Sequence, residues 1–359
     1  MERSGRGSRR VRWIGMVGLW CLAVAGSMGL AVAGEKRELV LLNWPDYMDP
    51  ALARRFEERT GIHLRTVEFE TDETRDELLA RTQGKGFDLF VVSGERVQGY
   101  VKRNWLAPLG LTEVGHLRHV PDRWLDSYPG VRGYAAPILW GTFGIAYRQD
   151  LVPDPPTTWK AFMQPEERFR KRLILEKESV DLMGMAMKAL GHSWNHYEES
   201  AIEAARRMLM AQKPFVRAYG YPSFDRKSAL VTGEAWLASV FNGDALTLKD
   251  LDDRIGFIVP EEGSVLWVDC LVVAAGSTRQ SDAYALIQFL HEPAHAAQLA
   301  QHLHFATVNQ EAEPLLRPEH RNHPVIYPPE AVLTRSEFVA KPPPRIDRRY
   351  KEILRALLN

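Results

Sequence analysis

Beyond residue 38 the chain alternates short apolar runs of strand length with amphipathic stretches of helical period. The first run, Leu39-Val40-Leu41-Leu42, predicts a buried strand. Asp49 stands before Pro50 as a helix N-cap, and Gly61 supplies the C-terminal stop. Residues 63–70 then alternate, with Leu64, Val67 and Phe69 apolar, and Thr71-Asp72-Glu73 opens a second helix that buries Leu78 and Leu79. Phe87-Asp88-Leu89-Phe90-Val91-Val92 reads as a buried strand and completes a β-α-β-α-β unit. After a proline-rich stretch (Pro153, Pro155, Pro156) the same grammar returns with a strand at Leu173-Ile174-Leu175 and a helix over 179–190, closed by Gly191. A second α/β domain begins there, with later strands at 236–240 and 255–259, while Leu271-Val272-Val273-Ala274 is a strand able to return to the first domain. The fold class is α/β, a mostly parallel sheet with helices on its faces. No internal repeat or flexible Gly/Ser linker occurs, so short strand-like crossings should join the domains.

The N-terminus changes the picture. Arg3, Arg6, Arg9, Arg10 and Arg12 face one acid, Glu2, and precede an uncharged run over 13–33 that ends in Ala31-Val32-Ala33. This is the pattern of a secretory signal (1–33) cut before Gly34. The competing reading is an uncleaved anchor, which the run is long enough to be, although Gly15, Gly18, Gly26, Ser27 and Gly29 dilute its apolar character. The whole chain has 46 basic and 46 acidic residues, so without the signal it carries a surplus of four acids. An exported, mildly acidic protein suits a cationic small ligand, and no basic field steers it toward nucleic acid. Trp20 before Cys21 argues against a lipoprotein cleavage site, which leaves Cys270 alone and the mature fold without an internal disulfide.

Chemistry is notable first for what is missing. No Gly-rich phosphate loop, G-x-G-x-x-G, H-E-x-x-H, C-x-x-C or G-x-S-x-G occurs, which removes the commonest nucleotide, zinc and hydrolase signatures. His291, His295, His302 and His304 are the best metal candidates, but no Cys, Asp or Glu completes a recognisable set, and a solvated helix face explains them. Aromatic residues lying beside acids are more informative: Trp44-Pro45-Asp46-Tyr47, Glu178-Ser179-Val180-Asp181 and Trp267-Val268-Asp269. An aromatic face gives a protonated amine about 0.5–2 kcal/mol, and a charge-assisted bond to a carboxylate contributes roughly 1.5–3 kcal/mol. Each group also has a structural reading. Trp44, Tyr47 and Trp267 are the kind of large aromatics that fill cores, and Glu178 and Asp181 would complement a helix dipole. Asp269, between apolar neighbours, needs a partner wherever it is buried.

At Asn43-Trp44-Pro45-Asp46-Tyr47 the chain resembles the periplasmic spermidine/putrescine-binding proteins of polyamine ABC importers, whose mature sequences open with a strand followed by Asn-Trp-x-x-Tyr. The likeness continues through residues 70–79, Phe87-Asp88-Leu89 with Ser93, and Pro137-Ile138-Leu139-Trp140-Gly141-Thr142. It runs on through Glu178 and Asp181, residues 234–243, residues 260–271 with Trp267-x-Asp269, and Thr307-x-Asn309. The resemblance implies a type II periplasmic binding fold, two lobes with the ligand cleft between them, lobe 1 formed by 34–144 and 268–314 and lobe 2 by 145–267 and 315–359. It places Trp44, Pro45, Tyr47 and Ser93 in the site from the first lobe, Glu178, Asp181 and Phe241 from the second, and Trp267 and Asp269 from the crossing region. Where the family has tyrosine two residues after the serine this chain has Glu95, and Phe241, Phe305 and Val339 stand where Trp, Tyr and Gln are usual. Glu95 either adds an acid to the pocket or faces solvent.

The implied function is binding of a spermidine- or norspermidine-like polyamine, without catalysis or cofactor, by a monomer that serves an ABC permease or a membrane-bound sensory receptor. A same-fold receptor for another cation is the alternative. A periplasmic enzyme acting on amines would use the acids as general acid and base, but no nucleophile, metal or cofactor motif accompanies them.

Overall fold

The computed structural model describes residues 37–359; the signal segment, its cleavage point and Cys21 lie outside the described residues. The strands are β1 (Arg37–Asn43), β2 (Ile62–Glu68), β3 (Leu89–Ser93), β4 (Ala135–Arg148), β5 (Leu173–Leu175), β6 (Val216–Tyr219), β7 (Leu237–Phe241), β8 (Ile255–Ile258), β9 (Val265–Val273), β10 (Ala306–Thr307) and β11 (Glu337–Phe338). They pair in the order β2-β1-β3-β9-β4-β7-β5-β6, with β8 and β10 added to β4 and β11 to β9. Within one half β1 runs parallel to β2 and β3, and within the other β5 runs parallel to β6 and β7.

β4 is the spine that joins them. Up to Thr142 it pairs antiparallel with β9 and β10, and from Phe143 onward with β7 and β8. Its sequence, AAPILWGTFGIAYR, is apolar almost throughout and all of it is buried except Tyr147, as a strand covered on both faces must be. Pro137 cannot donate to the ladder, and the register against β9 shifts between Pro137 and Leu139. Joined by strands, the two halves share most of one hydrophobic core, with a smaller cluster around Ile174, Leu230, Val240 and Leu248 beneath the second half.

Helices α1 (Pro50–Thr60), α2 (Asp72–Thr82) and α3 (Gly94–Val101) follow β1, β2 and β3. In the second half α4 (Ser179–Ala189) follows β5, α5 (Glu199–Gln212) precedes β6, and α6 (Asn242–Leu251) follows β7. Then come α7 (Gln280–Leu290), α8 (Pro293–Leu303) and the C-terminal α9 (Pro344–Leu358). α9 buries Ile346, Tyr350, Ile353 and Leu357 along one stripe, packed on α4 and α5. Helix N-termini therefore gather at the carboxyl ends of β1, β3, β5 and β7, the place where open α/β sheets bind ligands.

Local signals act as the sequence reading expects at Asp49, Gly61 and Thr71, which cap α1 and α2. Two differences bear on the site. β9 begins at Val265, not near 271, and so contains both Trp267 and Asp269; an acid disguised a strand that is otherwise apolar. On α2, Leu79 is fully buried but Leu78 only half so, and the larger buried group is Arg75, with no exposed surface at all.

Asp49 ties the first helix to the loop that precedes it. Its carboxylate accepts from Ala51 N at 2.7 Å and from Gln298 Nε2 at 2.7 Å. Asp49→Ala should therefore lower the unfolding free energy by about 1–2 kcal/mol, the upper range for a lost N-cap, measured by urea denaturation of the two proteins side by side.

Candidate functional site

The loop leaving β1 is built to present two aromatics. Pro45 lacks the N–H that a further ladder bond would need, and Asp46 adopts a left-handed conformation, φ 55°, so the chain turns. Asn43, fully buried at the strand end, holds the turn by donating from Nδ2 to the Tyr47 carbonyl at 2.9 Å. Trp44 then lies 4.4 Å from the Phe69 ring and Tyr47 reaches across to β9, where its hydroxyl donates to Asp269 Oδ2 at 2.9 Å. Pro45 itself is exposed.

Asp269 is the partner-seeking acid in an apolar strand, and it finds partners on both sides. β9 sets it opposite Ser93 of β3, whose hydroxyl also bonds it. Two residues earlier Trp267 forms the cleft wall, meeting Phe305 edge-on at 4.7 Å and Phe241 at 5.9 Å, while Tyr47 lies 6.1 Å from Phe305. Two glycines make this wall possible. A Cβ on Gly141 would stand 2.5 Å from the Trp267 ring and 2.3 Å from Asn242 Oδ1, and one on Gly243 would stand 2.4 Å from Phe305. Trp267 is buried against the spine, its Nε1 3.5 Å from the Thr142 carbonyl.

The second half contributes acids from the starts of its helices. Glu178 is the N-cap residue of α4 and Asp181 lies in its first turn. Asp244 lies in the first turn of α6, accepting from the Tyr221 hydroxyl at 2.6 Å, and that same oxygen accepts from Phe241 N at 2.9 Å. Glu176 is buried at the end of β5 and accepts from Lys177 N at 2.9 Å. Neither Asp244 nor Glu176 stands out in the sequence; the available signal was an acid within the first turn after a buried strand. Glu95 points inward: its side chain is 14% exposed, with Oε1 3.4 Å from Arg96 Nε. Val339 is half-buried in the segment following β11.

These carboxyls cannot all ionise cheaply together. Burial pushes Glu95, Glu176 and Glu178 up to about 7, and Asp244 and Asp269 up to about 6. Asp181 is held well above the carboxylate range, first by burial and then by Glu176, Glu178 and Glu95. After burial, the charges that raise Glu178 are Asp72 and Glu73 of α2 in the other half. The acids of the two halves thus lie near enough to raise one another's proton affinity. Burial and the neighbouring Asp269 likewise raise the Tyr47 hydroxyl, keeping it a donor.

Of the four candidate metal histidines, His291 and His295 are buried and serve the packing. His291 places both ring nitrogens 2.8 Å from backbone carbonyls of Ile287 and Pro137, His295 Nδ1 lies 2.8 Å from the Phe289 carbonyl, and His304 Nε2 lies 3.0 Å from Asp250. His302 is exposed. Among the described residues no three or more His, Cys, Asp or Glu side chains gather in a metal-holding group.

Residues 51–324 match the family model described as bacterial extracellular solute-binding protein. The spermidine/putrescine-binding periplasmic protein of Escherichia coli is 28% identical over 318 residues, covering 88% of this chain and 90% of the relative. The norspermidine sensor of Vibrio cholerae is 29% identical over 314 residues, 85% of each chain. In three dimensions the chain is similar to the substrate-binding protein of a spermidine/putrescine ABC transporter from Streptococcus pneumoniae, with a TM-score of 0.78 at 24% identity over 90% of this chain and 98% of that one. The fold is the two-lobed fold of such substrate-binding proteins.

Three outcomes follow from the geometry. The raised carboxyls bind protons more tightly in the folded chain than in the unfolded one, so the ligand-free protein should lose stability as pH rises from about 4 to about 7. Asp269→Asn, which keeps an acceptor for Tyr47 but removes a buried charge, should be more stable than the unaltered protein by about 1–3 kcal/mol near pH 8 and equal to it near pH 4; thermal unfolding across that range reads both. Gly141→Ala should cost about 1–3 kcal/mol through overpacking and change the near-ultraviolet circular dichroism as Trp267 is displaced.

Proposed function

Because the chain belongs to the bacterial extracellular solute-binding proteins, we propose that it captures a linear polyamine of the spermidine or norspermidine type in the acid-lined cleft. The observation that carries this reading is the set of carboxyls from both halves whose proton affinity is raised first by burial and then by neighbouring acids. Ammonium groups spaced along a flexible chain are the cations that match separated acids, and the walls of Trp44, Tyr47, Phe241, Trp267 and Phe305 suit the methylene segments between them. The names of the relatives, a spermidine/putrescine-binding protein and a norspermidine sensor, agree with that chemistry.

In this reading lobe 1 (34–144 and 268–314) brings Tyr47, Ser93, Glu95, Asp269 and Phe305, and lobe 2 (145–267 and 315–359) brings Glu178, Asp181, Phe241, Trp267 and Asp244. The protein works as a monomer outside the inner membrane, exported by its N-terminal segment, and hands its ligand or its liganded state to a membrane partner, an ABC permease or a sensory receptor. It binds and performs no covalent step.

Calorimetry of the mature protein, unfolded and refolded to strip carried-over ligand, should show spermidine or norspermidine binding more tightly than putrescine; equal or tighter binding of putrescine contradicts the count of acids. Asp181→Asn and Asp269→Asn should each weaken binding by about 1.5–3 kcal/mol, and Trp267→Leu by a comparable amount, with folding retained. Binding should also release protons, because amines need the carboxylates ionised. Affinity should therefore rise from about pH 5.5 to about pH 8, and the apparent heat should depend on the buffer's own ionisation enthalpy.

A further inference from the structure

One cluster of charges in the first half is not used by the acids already described. Arg75 of α2 is fully buried; its Nη1 lies 2.6 Å from Asp72 Oδ1, its Nη2 3.5 Å from Asp76 Oδ1, and its Nε donates to the Tyr100 hydroxyl at 3.0 Å. Arg96, in the first turn of α3, answers from the other side. Its Nε lies 2.7 Å from Asp72 Oδ2 and its Nη1 2.8 Å from Asp76 Oδ2. Each aspartate therefore lies between both arginines, and the four side chains close a neutral square.

Glu95 is the fifth member. Its Oε1 is 3.4 Å from Arg96 Nε, so the wall holds three carboxylates against two guanidiniums. The two arginines differ in what they face. Arg75 sits beneath the rings of Phe69 and Trp44, with its Cζ 5.1 and 6.0 Å from their centroids, sealed from the cleft. Arg96 is 16% exposed beside Glu95, and its charge reaches Glu178 in the opposite half.

We propose that Arg96 is a resident cation of the ligand cleft that determines how many ammonium groups the cleft accepts. The inference rests on the polyamine reading above. In a cleft that closes over its ligand, an unmatched charge carries the desolvation cost of a buried ion, so the preferred ligand is the one whose charges match what the walls leave over. A guanidinium placed between two aspartates is held there by both of them. It therefore stands permanently where a further ammonium would otherwise be required, at the Glu95 end of the cleft. Removing it adds one unmatched negative charge to the wall; removing the Glu95 charge takes one away.

The test is calorimetric titration of putrescine, spermidine and spermine into the full mature protein and its variants at about pH 8, where these amines are largely protonated. Arg96→Gln should raise the affinity for spermine relative to spermidine roughly tenfold, the scale of one charge-assisted contact. Glu95→Gln should move the preference the other way, raising putrescine relative to spermidine by a similar factor. Arg96→Lys, which keeps the charge, should hold both ratios within about twofold of the unaltered protein. Circular dichroism verifies folding; if Arg96→Gln does not fold, Glu95→Gln and Arg96→Lys decide the matter, since each leaves a cation in place. A uniform loss for all three amines in Arg96→Gln, or unchanged ratios in Glu95→Gln, overturns the proposal. Failure of the unaltered protein to bind any of the three overturns the polyamine reading itself, and this inference with it.

Discussion

Like charges held together out of water repel, and the arrangement of this cleft is a set of partial answers to that repulsion. Hydrogen bonds from Tyr47 and Ser93 steady Asp269, Tyr221 steadies Asp244, and backbone N–H groups steady Glu176. The helix N-termini help as well, since Glu95, Asp181 and Asp244 all lie in first turns where the dipole favours a negative charge. None of these donors carries a full positive charge. The carboxyls remain above their ordinary range, and that residue of unfavourable energy is what a bound cation would relieve.

The aromatic walls are set by backbone approach. Trp267 and Phe305 can stand where they do because Gly141 and Gly243 leave room for their rings, and Gly141 belongs to the strand that runs through both halves. Precision at the site thus comes from the spine of the sheet, a strand buried at every position but Tyr147, while the loop from Trp44 to Asp49 is locked separately by Asn43 and the helix cap. Further out, Lys351 of α9 lies 3.1 Å from Glu73 of α2, so the C-terminal helix packed on the second half also pairs with the first.

The square of Asp72, Arg75, Asp76 and Arg96 shows how a charged group can be sealed in a core without instability. Arg75 has no exposed surface, yet its charge is met by two carboxylates and a hydroxyl. Losing one partner of a buried ion is what costs most, and on α2, polar along its length, the buried groups are this arginine and Leu79.

Capping at Asp49, Gly61 and Thr71 and the apolar runs of the parallel strands were all legible, because each depends on residues within a few positions of one another. So were the aromatics beside acids at Trp44 to Tyr47 and Trp267 to Asp269, and the acid pair of Glu178 and Asp181, since those groups are neighbours in the chain. Whether those neighbours shared a site was another matter. Tyr47 and Asp269 are 222 residues apart and meet only because β9 returns to pair with β3 and β4. Arg75, Glu176 and Asp244 did not stand out in the sequence, and their surroundings follow only from strand order. Local periodicity encodes which side chains are buried, but the charge a buried group faces depends on which strands become neighbours, and only the closed tertiary structure decides that.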